Sequence, residues 1–407
     1  MKTVEDHLRD VLAVVAPLAP IELRLLDAHG CMLAEDIVAT APLPGFDNSA
    51  MDGYAVRAAD LATASEAAPV SLHVVGDIAA GSSPDMTIQS GLCARIMTGA
   101  PLPAGADAVV PVEWTDGGVA QVLVQQGPRP GECIRRAGED VVVGDVLLSR
   151  GTVLGAAHIG LLAAGGRRSI PVHPRPRVVI LSTGSELMEP GDELTPGKVV
   201  DSNGYALWAA AKEAGALPYR AGLVGDDPHE FMDTLEDHLI HADAVVTSGG
   251  VSVGAYDVVK DALTRVGGVA FDRVAMQPGM PQGFGQVGPD ATPFFGLPGN
   301  PVSALVSFEV FVRPALRRML GATQLLRPQV QATLTEALRS PVGKRQYVRA
   351  AVERGDKGWV ARPTGGQGSH LLSGLAAANA LVVVPEDVGE LPAGAAVTAM
   401  LLERRGL

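Results

Sequence analysis

The chain has 407 residues, 47 % of them hydrophobic and 19 % charged, which is enough apolar material for roughly three domain cores. A formal net charge of −13 and an aromatic content of 4 % argue against nucleic acid or an anionic membrane as partner, because both need a basic surface and single strands need stacking rings. An anionic substrate would have to be met by locally placed Arg and Lys. Cys31, Cys93 and Cys133 are odd in number and contain no CxxC pair, so buried free thiols are expected rather than a disulfide framework or a zinc knuckle. Residues 1–9 mix acids with bases, unlike a secretory signal, and no run has the apolar length of a membrane span, so a cytoplasmic location is expected.

In chain order, Thr3 and Asp6 resemble a capping box, and Val4, Leu8, Leu12 and Val15 predict one apolar face of a helix ending near Ala16. Residues 25–38 read as a helical or extended connection. Asp47, Asn48, Ser49 and Asp52 then crowd into one loop ahead of a strand at 54–57, more acceptors than a turn needs. Short alternating apolar runs over 70–124 predict a small β-rich module, with Thr98 and Gly99 just after one of its strands. Arg135 and Arg136 stand near Glu139 and Asp140, either to recognise an anion or as a solvated ion-paired group. Helical spacing resumes at 154–162, which suggests that this segment joins the N-terminal helices in a domain discontinuous in sequence.

Past the Pro-rich boundary at 169–177 the pattern changes to strands alternating with helices: 178–183, 204–213, 218–224, 228–241, 243–247, 258–266, 269–275 and 293–296, then a helix over 301–320. Asn300 is placed as its cap and Pro301 at its first position. Such alternation predicts a doubly wound, mainly parallel sheet whose ligands bind at the carboxyl ends of the strands. Four polar or glycine-rich segments fall at those ends: STGSEL at 182–187, Gly225 with Asp226 and Asp227, the loop containing Ser248, Gly249, Gly250 and Ser252, and GLPGNPVS at 296–303, which includes Ser303. Two glycines among hydroxyls let the backbone approach an oxyanion, and Asp257 at the following helix start puts a carboxylate beside it. A carboxylate next to an anion implies a cation between them. From 330 onward, short strands predict an all-β module carrying a basic cluster, Lys344, Arg345 and Arg349, and a glycine-rich loop at 365–369.

Other chemistries are weak. His238 and His241 lack a third partner at metal-ligand spacing, no serine has an obvious His and Asp to activate it, and no P-loop pattern occurs. What remains is carboxylates, hydroxyls and backbone N–H groups, which suit an oxyanion bound with Mg²⁺.

PGFDNSAMDGYAV, IMTGAPLP, RRAGEDVVVGDVLL, LSTGSEL, TSGGVSVGAYD and GLPGNPVSAL, in that order over nearly the whole chain, together resemble the MoeA family of molybdopterin molybdenumtransferases, which includes the E domain of gephyrin. The resemblance implies a four-part α/β multidomain subunit: an N-terminal linking domain (1–41 and 149–172), a β-rich insert (42–148), a molybdopterin-binding α/β domain (173–322) and a C-terminal β domain (329–407). It implies a homodimer with small-molecule substrates, molybdate and adenylylated molybdopterin, Mg²⁺ as cofactor, and other cofactor-biosynthesis proteins as further partners. The implied reaction inserts molybdate into the dithiolene and releases AMP. By position, Asp52, Thr98, Glu186, Asp226 and Asp257 match residues used in activity, and Asp226 with Asp257 would hold the metal. Pro298 and Pro301 match the pocket wall, and Arg349 and Ser369 match anion contacts. The chain departs from the family at Gln277 and Met280, where lysines are usual, leaving Arg273 as the nearby positive charge, and at Ser185, where an aspartate is common. Two rival readings stand beside it: adenylylation of molybdopterin by Mg-ATP, and a non-catalytic dimeric scaffold of the gephyrin type.

Overall fold

The computed structural model describes residues 1–250, 258–356 and 358–402. The chain divides into two compact units, one made of Leu23–His29 and Glu35–Ile170, the other of Met1–Glu22, Gly30–Ala34 and Pro171–Leu407. In the first, a five-stranded sheet runs in the order Ala108–Pro111, Gly53–Val56, Leu92–Ile96, Val70–Ile78, Gln121–Val124. Gly53–Val56 is buried along its whole length, as a central strand should be, and Tyr54, Leu72, Val110 and Val122 pack on one side of it. The loop of many acceptors is partly a strand: Asn48–Ser49 pairs antiparallel with Ile134–Arg135. Helical spacing at 154–162 becomes the helix Ala156–Ala164.

The second unit opens with the helix Val4–Val14, whose Thr3 hydroxyl accepts the Asp6 N–H at 3.0 Å. Of the expected face, Val4 and Val15 are buried, Leu8 packs partly buried against the core and Leu12 is half-buried; His7 and Val11 join them, so a histidine takes a core place. His7 sits edge-on to Phe311 at 4.7 Å between ring centres, and burial pushes its pKa down to about 4, so it packs as a neutral ring.

The α/β part consists of β1 (Arg177–Thr183), α1 (Asn203–Glu213), β2 (Leu217–Val224), α2 (Pro228–Leu239), β3 (Ala244–Ser248), α3 (Val258–Val266), β4 (Val269–Arg273), β5 (Pro281–Val287), β6 (Thr292–Leu297) and α4 (Pro301–Ser307). The sheet order is β2-β1-β3-β6-β5-β4. Pairs β1–β2, β1–β3 and β3–β6 are parallel, whereas β5 is antiparallel to both β6 and β4. Five strands therefore point the same way and β5 alone is reversed. The sequence reading missed β5, because Pro281, Gly283 and Gly285 interrupt its apolar run.

Strand periodicity explains why both faces are covered. Val178, Ile180, Val246 and Phe295 point to one side, where Leu207 and Ala211 of α1 and Ala304 and Phe308 pack; Val179, Leu181, Val245 and Phe294 point to the other, against Phe231 and Leu235 of α2 and Val259 and Leu263 of α3. Each such Val, Leu, Ile or Phe side chain contributes about 1.5–3 kcal/mol on burial. The long helix expected over 301–320 is α4, a π turn at Phe308–Val312 and a further α segment at Arg313–Met319. Beyond it, Arg345–Gly355, Gly358–Pro363, Gln329–Leu334, Ala396–Leu401 and Ala380–Val384 pair in turn, and the last pairs back on the first, closing a five-stranded barrel filled by Val348, Ala350, Val382 and Val397. One short helix, Leu372–Ala376, interrupts the expected all-β composition.

Candidate active site

Register fixes where the loops of the α/β sheet begin. Thr183 is opposite Val224, Ser182 opposite Ser248, and Ser248 opposite Leu297, so the segments after β1, β2, β3 and β6 leave one edge at one level. They enclose a cleft of about 750 Å³ whose walls include Gly184, Glu186, Asp226, Ser248, Gly250 and Asn300, with Asn203 at its base and His370 reaching in from the C-terminal module. Among the described lining residues Glu186, Asp201 and Asp226 are acidic and none is Lys or Arg. An anion could be held there only through neutral donors, the histidine or a bound cation.

The first two loops are tied reciprocally. The Ser185 N–H donates to Asp226 Oδ2 at 3.0 Å, and the Asp226 N–H donates to Ser185 Oγ at 3.1 Å. One carboxylate oxygen is thereby fixed and Oδ1 remains for the cleft. Lys198 Nζ donates to the Ser185 carbonyl, so the turn is held from a third side. Glu186 folds back over Gly184, where a Cβ would lie 2.5 Å from its Oε2 and push that carboxylate aside. Asp201 is buried but satisfied, accepting from the Gly204 N–H at 2.9 Å and from Arg220 Nη2 at 3.3 Å.

The third and fourth loops meet through Asn203, whose Nδ2 donates to Ser248 Oγ at 2.6 Å and to the Gly299 carbonyl at 2.7 Å. Gly249 has φ +93° and donates its N–H to the Leu297 carbonyl at 3.1 Å; a Cβ there would lie 2.5 Å from the Thr183 carbonyl oxygen. Asn300 occupies the cap position of α4 and Pro301 the first helical one, yet the Asn300 side chain makes no capping bond. The Val302 N–H is taken instead by the Ser369 carbonyl at 3.0 Å. Pro298 and Ser303 are buried beneath this turn.

Three sequence profiles match this chain: the MoeA N-terminal region (domain I and II) over residues 2–166, a probable molybdopterin binding domain over 179–318, and the MoeA C-terminal region (domain IV) over 331–402. The chain belongs to the MoeA family. Molybdopterin molybdenumtransferase 2 of Mycobacterium tuberculosis is 48 % identical over 400 residues, covering 97 % of this chain and 98 % of that protein. Molybdopterin molybdenumtransferase 1 of the same organism is 41 % identical with full coverage of both. A solved molybdopterin biosynthesis MoeA protein from Pyrococcus horikoshii superposes with a TM-score of 0.82 at 34 % identity, covering 99 % of each chain, and a second from that organism with 0.76 at 31 %. The chain is thus a transferase of molybdenum cofactor biosynthesis with a multidomain α/β fold.

The MoeA resemblance also named individual residues, and the structure places them unevenly. Glu186, Asp226, Ser248, Gly249, Gly250, Asn300 and Pro301 line one cleft. Asp52 and Thr98, in the other unit, meet each other: Asp52 Oδ1 accepts from the Thr98 N–H at 2.7 Å and from its Oγ1 at 2.8 Å, and the backbone bond first, then the hydroxyl, holds the carboxyl below its ordinary pKa. Arg136 is ion-paired, but with Asp47 at 2.6 Å and not with Glu139 or Asp140 as expected. Ser252 and Asp257 lie outside the described residues, as does the rest of a Gly-x-Ser-x-Gly run that begins at Gly250 and that the sequence reading passed over.

The basic side chains lie away from the cleft. Arg273 ends β4 at the same sheet edge, and Gln277 pairs with Gln346 of the barrel, but neither lines the cleft. Arg345 bridges Glu5 and Glu386. Arg349 is 1 % exposed and donates to the carbonyls of Gly368 at 3.0 Å, Leu371 at 3.2 Å and Gly366. Its guanidinium holds the loop and does not reach the cleft; Ser369 contributes its carbonyl to Val302. The expected basic cluster is therefore not one surface. The sequence reading missed Asn203 and His370, whose surroundings come from residues far away in the chain.

Proposed function

We propose that this MoeA family member is a molybdopterin molybdenumtransferase that takes molybdate and adenylylated molybdopterin as substrates and releases AMP as molybdate enters the dithiolene. The observation that carries the reading is the cleft itself: carboxylates, a buried hydroxyl and glycine backbone at the carboxyl edge of a parallel sheet, with no Lys or Arg among its described lining residues. Asp226 would hold Mg²⁺ through Oδ1, with Asp257 as its second carboxylate. The residues present fit that ion, because the Ser185 N–H takes only Asp226 Oδ2 and leaves the other carboxylate oxygen available, and magnesium needs only one or two protein oxygens beside phosphate and water. When bound, it neutralises charge on the phosphoanhydride.

The chain's own residues do the rest. The Ser185 clamp orients the Asp226 carboxylate, Ser248 and the Gly250 N–H receive phosphate oxygens, and the Pro298–Pro301 turn walls the cleft against water. Glu186, Asp52 and Thr98 are assigned to activity, and Arg273, Gln277 and Arg349 to anion recognition or its support. A homodimer and the four-part division at 1–41 with 149–172, 42–148, 173–322 and 329–407 belong to the same reading. Incubation with adenylylated molybdopterin, molybdate and Mg²⁺ should release AMP. Pyrophosphate formed from ATP and molybdopterin, without AMP release in that assay, would transfer the chain to the adenylylation step.

A further inference from the structure

Asn203 opens α1 outside every motif that marked the cleft, yet it joins two of the cleft's loops. The Gly299 carbonyl can only accept, so the atom 2.7 Å from it must be the amide NH₂, which fixes the orientation of the side chain. The same NH₂ gives its second hydrogen to Ser248 Oγ at 2.6 Å. Ser248 therefore spends a lone pair on Asn203, and its own hydrogen is left over. The Ser248 side chain is 3 % exposed and borders the cleft, and no described residue accepts that hydrogen. Nor can an amide remove it, so Ser248 is not set up as a nucleophile.

We infer that Asn203 is a positioning residue that makes the Ser248 hydroxyl a hydrogen-bond donor toward an anionic oxygen in the cleft, while fastening the Ser248–Gly250 segment to the Gly299–Pro301 turn. This deepens the proposed function and rests on its reading of the cleft as a phosphate site. The polarity divides the cleft: Asp226 faces a cation, and Ser248 faces an oxyanion. A donor aimed at a metal would oppose it, and a carboxylate aimed at phosphate would do the same.

The test reverses the polarity with one atom exchanged. In Asn203→Asp the carboxylate accepts the Ser248 hydrogen, turns the hydroxyl lone pairs to the ligand and repels the Gly299 carbonyl. In Asn203→Ala both donors vanish without reversal. Calorimetric titration of the full chain with AMP in the presence of Mg²⁺ should show affinity falling about tenfold in Asn203→Ala and about a hundredfold in Asn203→Asp, in line with the loss of one neutral bond against the creation of a repulsive one. In a Ser248→Ala background the two substitutions should differ by much less. Asn203→Asp binding AMP no worse than Asn203→Ala overturns the inference alone, whereas wild-type protein that fails to bind AMP with Mg²⁺ overturns the phosphate reading and the inference with it. Should thermal melting show Asn203→Asp unfolded, the Asn203→Ala and Ser248→Ala pair decides: additive losses sink the proposal and non-additive ones support it.

Discussion

Two glycine-rich loops of the same unit look interchangeable in sequence and are used in opposite ways. Ser248–Gly250 lines a cleft and is fixed by Asn203, with the Ser248 hydroxyl hydrogen unspent. The loop over 365–369 is filled from within by the guanidinium of Arg349, which consumes the carbonyls of Gly366, Gly368 and Leu371. Glycine permits close approach in both, but what approaches differs: a ligand in one, the protein's own cation in the other. A glycine loop becomes a binding site only where some polar hydrogen, here that of the Ser248 hydroxyl, is left without an internal partner.

The contrast can be broken most sharply at Arg349. Arg349→Met should destabilise the protein by about 3 kcal/mol, because three part-buried carbonyls lose a charged donor at once, and urea denaturation should show the full loss. If stability were unchanged while anion affinity collapsed, Arg349 would be a ligand contact and the two loops would be alike. Asp226→Asn should act on activity instead, lowering AMP release about a hundredfold with little change in melting temperature, since Asp226 is exposed and its Ser185 bonds survive in the amide. Gly249→Ala and Gly365→Ala compare the loops directly. A Cβ at Gly249 meets the Thr183 carbonyl at 2.5 Å, whereas at Gly365, with φ +58°, it meets Gly374 Cα at 3.2 Å. The first should cost about 2 kcal/mol and the second about 1 kcal/mol, read from unfolding midpoints. The smallest effect belongs to Ser185: Ser185→Ala should reduce turnover about threefold and Ser185→Thr restore it, a modest loss suited to one neutral hydrogen bond.

Much of this was visible in the residues themselves. Apolar runs followed by glycine and polar residues marked the ends of β1, β3 and β6, because a buried strand must be apolar and the loop after it must turn. The four segments at one edge converge as the alternation of strands and helices requires. What escaped the sequence reading has a common physical cause. β5 was hidden by Pro281 and two glycines that weaken its pattern. Asn203 finds its acceptors 45 and 96 residues away, and Arg349 finds carbonyls 17, 19 and 22 residues on. A backbone carbonyl has no letter in the sequence, so a side chain that bonds to one looks free until the chain is folded.

The bond from the Val302 N–H to the Ser369 carbonyl bears on how separable this protein is. The first turn of a helix has N–H groups that need acceptors from outside it. In α4 one of these is supplied by the C-terminal module, and the Asn300 amide is released from that duty. The α/β region cut free at its profile boundaries, residues 179–318, would carry a helix with an open end just where it walls the cleft. Its sheet could be complete and its cleft still slack, so transplanting this region into another chain means carrying a carbonyl from residue 369 with it.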